Sequence, residues 1–287
     1  MVSSYQRVYV ILHLGICDII CETLYSLVLF IYTFYLVWCQ LLFYCFEIYI
    51  LLHLSMKQFS VIIPTMWRYA PFTVFLYQLL NHPTVGEVFV INNDIERTPF
   101  HELKEHPKLK IKHFPENMTV NPSWNYGVAQ TQFDHLLILN DDIVFDLTAL
   151  DAVSAFLEQG KFIVMNFPHP DDPYIVTGKL RLVKYYLGHK LHHIGCMMFM
   201  HRNDYLPIPS GLNYNYGDNW FWDYMIARYN ENYLLENIYY DSPQSVTIQT
   251  ITNRENLYLK ETEMVRGIWD YYVSRAAASL IPNVSTE

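Results

Sequence analysis

Residues 136–146 read LLILNDDIVFD: four apolar residues run into Asn140, Asp141 and Asp142, and apolar character then returns ahead of Asp146. With His135, the apolar run HLLIL (135–139) has the length and character of a strand buried on both faces. Two adjacent carboxylates and an amide at its end make either a surface turn, since Asn and Asp are turn formers, or a site for a cation. The pattern on either side decides between them.

Working outward, FSVIIP (59–64), EVFVI (87–91), LKIKHF (109–114) and FIVMN (162–166) are further short strand-like runs. Between the first two, Phe72, Phe75, Leu76, Leu79 and Leu80 recur at the spacing of one helical face. PSWNYGVAQTQ (122–132) and residues 147–159 are expected to form two more helices. Unbroken apolar strands alternating with helices imply an α/β fold, a mostly parallel sheet covered on both faces. HHIGCMMFMHR (192–202) reads as another buried strand, and PIPSGLNYNYGDNWFWDYM (207–225) as a loop turning into an aromatic helix. SVTIQT (245–250) is strand-like, and an amphipathic helix is expected around 256–276. Residues 56–287 read as one domain, with 56–146 as a nucleotide-binding half and 147–287 as an acceptor half that closes one edge of the sheet.

Composition bounds the function. The 287 residues are 52% hydrophobic, enough to fill a sizeable core, and a net charge of -9 provides no overall basic field for nucleic acid. Residues 1–55 form a hydrophobic leader whose only charged side chains are Arg7, Asp18, Glu22 and Glu47. Thr23 to Phe46 carries no charge over 24 residues, long enough to cross a bilayer as a helix. Two readings of the leader stand: a membrane anchor, or a non-native extension upstream of Met56. As an anchor it would leave the domain on the cytoplasmic side, because the basic residues all but begin at Lys57. Cys17, Cys21, Cys39 and Cys45 lie in the leader, so the domain has the single thiol Cys196, which suits a reducing compartment.

In open parallel sheets ligands bind at the carboxyl ends of the strands. Three of the expected strands end there in polar groups: Thr65, the run Asn92-Asn93-Asp94, and Asn140-Asp141-Asp142. Adjacent carboxylates repel unless a hard cation sits between them and a phosphorylated ligand. Mg²⁺ is held in this way by one or two carboxylates with phosphates and water, and Mn²⁺ accepts the same ligands.

The blocks FSVIIPTMWR, VGEVFVINND, NPSWNYGVAQTQFDHLLILNDDIVFD, GCMMFMHR and YGDNWFWD occur in the order seen in family 2-like glycosyltransferases of the GT-A fold, and the chain resembles them over residues 58–225. The resemblance implies a nucleoside-diphosphate sugar donor, its base and ribose near Thr65, Asn93 and Asp94. It implies a hydroxyl acceptor, on a glycan or another molecule. LNDD resembles the family's DXD-type motif, with Asn140 in place of the first Asp, Asp141 in support and Asp142 as the Mg²⁺ or Mn²⁺ ligand. Asn121, Asn125 and Gly127 resemble an Asn-rich segment that shapes the donor pocket. Asp218 resembles the acid that deprotonates the acceptor in inverting members, and Asp223 is a lesser candidate. Asp218 would equally serve as N-cap of the following helix. Of Trp220 and Trp222, at most one would stack on a sugar, the other joining the core. A nucleotidyltransferase would need a basic, Gly-rich loop after the first strand, and PTMWRYAP has one Arg and no Gly. A glycan- or sugar-nucleotide-binding protein without turnover is the remaining reading.

Overall fold

The computed structural model describes residues 23–46, 57–97, 103, 105–165, 176, 178–186, 194–242, 256–266 and 269. The chain divides into two units, Met1–Met56 and Lys57–Glu287. In the first, helix α1 (Thr23–Phe46) has 24 residues and contains an 18-residue stretch of mean hydropathy 1.9, long and apolar enough to cross a membrane by length and composition.

The second unit is built on one eight-stranded sheet. Its elements begin β1 (Phe59–Thr65), α2 (Pro71–Asn81), β2 (Val85–Asn92), β3 (Leu109–His113), α3 (Val120–Gln130), β4 (His135–Leu139). They continue β5 (Val144–Phe145), α4 (Thr148–Phe156), β6 (Phe162–Met165), β7 (Arg181–Lys184), β8 (Met197–His201), α5 (Gly217–Tyr229), β9 (Asn232–Glu236), β10 (Tyr240–Asp241). Residues 256–266 form a last helix, α6. The strand order is β3-β2-β1-β4-β8-β6-β9-β7. β3, β2, β1 and β4 are mutually parallel, while β8 runs antiparallel to both β4 and β6, and β7 antiparallel to β9. The sheet is therefore mostly parallel, with two reversed strands in its second half.

Period-two alternation sends each strand's side chains to two separate cores. Val61, Ile63, Val88, Val90, Leu137, Leu139, Met197 and Phe199 face one, and Ile62, Phe89, Ile91, Leu136, Ile138, Met198 and Met200 face the other. The first core is closed by α2, whose buried residues Phe72, Phe75, Leu76, Leu79 and Leu80 are the stripe expected from the sequence. Burying each contributes about 1.5–3 kcal/mol. α2 begins on Pro71, whose missing amide hydrogen costs nothing in a first turn. The second core is closed by α3, which inserts Trp124 and Val128, and by α5.

α2 and α3 cover opposite faces; after β1 the chain moves to β2 on one side and after β4 to β6 on the other, so the switch point falls between β1 and β4. Their carboxyl ends, Thr65 and Asn140, open the crevice where ligands bind in such sheets. The opposite end is closed by a buried carboxylate. Glu87 accepts from Ser60 Oγ at 2.6 Å, from the Gln132 amide at 2.5 Å and from Lys110 Nζ at 2.5 Å. Burial works to raise its pKa, but these partners outweigh it and hold the carboxyl below the ordinary range.

The second half continues the same sheet through β8, β6, β9 and β7. β7 and β9 were not expected from the sequence: RLVK is half-exposed, and NYLLE has only a short apolar core. The strand expected over 192–202 is shorter, beginning at Met197. SVTIQT and the start of the run HHIGCMMFMHR, residues 192–193, lie outside the described residues, as do all of 270–276 in the expected last helix.

Candidate functional site

The first polar group at the rim is Asp141, and it points inward. Its Oδ2 accepts from Thr65 Oγ1 at 2.5 Å and from the Met66 amide at 3.3 Å, and Thr65 Oγ1 accepts in turn from the Trp67 amide at 2.8 Å. Burial pushes the Asp141 carboxyl above its ordinary value; the Thr65 hydroxyl, the Met66 amide and the charge of Arg68 pull the other way. Thr65 and Asp141 thus tie the end of β1 to the end of β4. The tie sets the entry to a loop in which Trp67 has a left-handed backbone, φ 51°.

Asn93 and Asp94 leave β2 on the other side of β1. Asn93 is buried: its Nδ2 donates to Ser123 Oγ at 3.0 Å and its Oδ1 accepts from the Met118 amide at 3.1 Å. Asp94 is half-buried, with Oδ1 accepting from the Glu96 amide at 3.2 Å and Oδ2 lying 3.5 Å from Arg97 Nε. Asn93 thus secures the approach to α3, while Asp94 closes a local turn.

The two asparagines of α3 bond to the segment that follows β8. Asn125 Oδ1 accepts from Tyr205 Oη at 2.8 Å and the Ile208 amide at 2.9 Å, and its Nδ2 donates to the Ile208 carbonyl at 2.9 Å. Asn121 Nδ2 donates to the Asn215 carbonyl at 2.9 Å and the Leu212 carbonyl at 3.3 Å. Both side chains fasten the 205–215 segment of the second half onto the first. Gly127 sits where a Cβ would collide with Ile62, so α3 packs flush on the sheet.

β8 brings a further stretch of chain to the rim. Because it is antiparallel to β4, its start lies at the rim where β4 ends, and the Asn140 amide donates to the Cys196 carbonyl at 3.0 Å. The Cys196 thiol meets the Asn140 side chain and is pushed up to about 12, first by burial and then by the charges of Asp142 and Asp218. Asp142 is only 6% exposed. Asp218 is half-buried in the first turn of α5 and packs on Gly195: a Cβ built there would lie 2.9 Å from Asp218 Oδ2. The structure therefore brings Asn140, Asp142 and Asp218 together around Gly195-Cys196. Tyr69 and Asp241 join from the outside: burial raises the Tyr69 hydroxyl, helped by Asp241, which hydrogen-bonds it, and by Asp142. Asp241 arrives through the short β5–β10 ladder. Among the described residues, no group of three His, Cys, Asp or Glu is placed so as to hold a metal ion by itself.

The profile described as glycosyl transferase family 2 matches residues 60–206, 147 of the 287 residues. The chain belongs to glycosyl transferase family 2. Among solved structures it is similar to S. aureus TarS 1-349, with a TM-score of 0.54 and 16% identity over 78% of this chain and 70% of that one. It is also similar to the same protein in complex with UDP-GlcNAc, with a TM-score of 0.51, 16% identity and coverage of 78% and 71%. These likenesses are of fold, and the fold is GT-A. No curated protein sequence matches the chain.

In this family 2 glycosyltransferase several sequence expectations change on the local geometry. Asp218 is not the N-cap of its helix: that position is Tyr216, at φ 65°, with Gly217 next. Gly217 is needed there, since a Cβ would collide with Asn121. Neither tryptophan is free to stack on a sugar. Trp220 and Trp222 are 3% and 5% exposed in the same core, Trp220 donating to the Leu206 carbonyl at 3.1 Å and Trp222 packed on Phe162 and Tyr185. Asp223 accepts from Trp269 Nε1 at 2.9 Å and is thereby anchored to the C-terminal segment. Tyr69 and Asp241 were missed, and Gly195, though it opens the block GCMMFMHR, was not singled out; antiparallel pairing of β8 and β10 brings Gly195 and Asp241 to the rim.

Proposed function

We propose that the protein is a hexosyltransferase moving a sugar from a nucleoside-diphosphate sugar to a hydroxyl of a glycan or other acceptor, by a single inverting displacement assisted by Mg²⁺ or Mn²⁺. The observation that carries this reading is that the turn after β4, bonded to Cys196 through the Asn140 amide, and Asp218, packed on the neighbouring Gly195, share the switch-point rim, the charges of Asp142 and Asp218 both bearing on the Cys196 thiol. One carboxylate there answers to the donor, ending a strand; the other answers to the acceptor, starting a helix beside a loop.

Asp218 takes the proton of the acceptor hydroxyl as that oxygen attacks the anomeric carbon. The bond from the anomeric carbon to the diphosphate oxygen breaks, and the nucleoside diphosphate leaves with the bonding pair. A general base must lie within hydrogen-bond reach of the hydroxyl, and the contact with Gly195 holds Asp218 over the rim. Asp142 is the residue to hold a divalent ion. The set fits an ion bound by one carboxylate with phosphate oxygens and water, which needs no three-residue cage. Such an ion, when bound, would neutralise the charge that grows on the leaving oxygen. Asn140 bonds Cys196 and orients the turn carrying Asp142, while Thr65 and Asp141 shape the entry for the base and ribose with Asn93 and Asp94 behind them. A UDP-sugar is the first donor to test, since TarS of the same fold binds UDP-GlcNAc. We further read Thr23–Phe46 as a membrane anchor, supported by its length and hydropathy, with the domain on the cytoplasmic side.

The test is a panel of nucleotide sugars incubated with the purified protein with and without Mn²⁺ or Mg²⁺, reading release of nucleoside diphosphate. Metal-dependent release from one donor is expected, and Asp142→Ala should lower it 100-fold or more. Full activity of Asp142→Ala with metal present would overturn the assignment.

A further inference from the structure

The segment Asn213–Asn215 leads into the first turn of α5, and it is held from two sides. On one side is Glu261 of helix α6, a carboxylate with 0% exposure. Its Oε1 accepts from the amides of Asn213 at 2.7 Å and Tyr214 at 3.2 Å, and its Oε2 from the amide of Asn215 at 2.9 Å and Asn215 Nδ2 at 2.7 Å. On the other side is Asn121 of α3: its amide donates to the Asn213 carbonyl at 3.0 Å and its Nδ2 to the Asn215 carbonyl at 2.9 Å. One helix therefore takes the segment's N–H groups and another its C=O groups.

The next three residues need such a grip. Tyr216 is an aromatic residue in left-handed backbone, φ 65°, a conformation costing about 1–3 kcal/mol that persists only when its surroundings impose it. α6 secures Tyr216 as well: its hydroxyl lies 2.7 Å from Thr262 Oγ1 and its ring stacks on Tyr258 at 5.7 Å. Gly217 lies flush against Asn121, and Asp218 flush against Gly195. Burying a carboxylate is expensive, and hydrogen bonds from backbone amides are what make it tolerable.

We infer that Glu261 is a positioning residue: it sets the backbone of 213–216 and through it the place of the Asp218 carboxylate, so α6 is part of the machinery of transfer. This rests on the reading of Asp218 as the acceptor's base. The carboxylate's chemistry is specific. An amide has one acceptor oxygen, so Glu261→Gln presents an N–H₂ group to N–H donors on one side and loses two of the four bonds while keeping the volume.

The full-length protein is compared with Glu261→Gln, with Asn215→Ala, which removes one bond of the four, and with Glu263→Gln, an exposed change on the same helix. Hydrogen exchange of the 213–218 amides is read without ligand. Steady-state transfer is read with the nucleotide sugar the wild type turns over. Glu261→Gln should exchange at least tenfold faster in that segment and lose at least tenfold in kcat, with donor KM within about twofold. Asn215→Ala should fall between it and wild type, and Glu263→Gln should match wild type; should Glu261→Gln not fold, Asn215→Ala carries the comparison. Unchanged exchange, faster exchange with unchanged kcat, or a loss confined to donor KM each overturns the inference. A wild type that turns over no nucleotide sugar overturns the functional reading, and the positioning role falls with it.

Discussion

Replacing Gly195 by Ala puts one methyl group between β8 and the first turn of α5. A Cβ there would lie 2.9 Å from Oδ2 of Asp218 and 3.0 Å from its Cγ and Cβ, where ordinary contact begins near 3.4 Å. Rotating the Asp218 side chain relieves the first two contacts and not the third, because Cβ moves only with the backbone. The start of α5 must therefore retreat by about 0.4 Å. A misplacement of about 1 Å at a reacting group can cost about 100-fold in rate, so a loss of roughly tenfold in kcat is expected. Gly195 is half-buried, and small-to-large changes in packed sites cost about 1–3 kcal/mol, which sets the stability loss at the lower end, near 1 kcal/mol. The assay pairs steady-state release of nucleoside diphosphate in the presence of acceptor with urea unfolding of the same preparation. A variant with kcat within twofold of wild type would refute the reasoning, since it would show that the Asp218 carboxylate can move without consequence.

Two further outcomes concern stability. His135 is 4% exposed with Nδ1 lacking a hydrogen-bond partner, and burial, helped by the charges of Lys57 and His201 and opposed by Asp134, pushes its imidazole down to about 4. The unfolded chain, titrating near 6.5, binds this proton first, so stability is full above about pH 6.5 and falls by about 3 kcal/mol as pH drops to about 4. Urea midpoints between pH 7 and pH 4 check it: His135→Phe should flatten the slope, and an unchanged slope would remove His135 as its cause. Thr65→Val deletes the 2.5 Å hydrogen bond to Asp141, and a bond to a charged group contributes about 1.5–3 kcal/mol. Thr65→Ser should recover most of that loss in unfolding at pH 7, and a loss below about 0.5 kcal/mol for the valine variant would show that the tie is idle.

Much of the architecture was legible because burial leaves periodic traces. FSVIIP, EVFVI and HLLIL are strands close to their expected limits, and the apolar stripe of α2 is the one read from spacing alone. Asn140, Asp142 and Asp218 could be singled out because polar groups ending apolar runs are unusual and their order resembles a family. Their neighbours could not. Trp220 and Trp222 look like an aromatic platform when read along the chain, yet both are core, because α5 is covered on more than one side and Trp269 packs on it.

The same contrast divides the molecule as a whole. Local pattern was enough for the α/β alternation, the two-faced strands and the rim where they end, since each follows from the 2.0 and 3.6 periods of backbone geometry. Tertiary structure decided that Asp141 turns onto Thr65, that Asn121 and Asn125 bond the 205–215 segment, and that Glu261 holds a loop 46–48 residues away in sequence. The reason is physical: hydrogen-bond partners of a buried polar group are chosen by proximity after the chain has crossed over, and antiparallel insertion of β8 sets that proximity without leaving a mark on any single stretch of sequence.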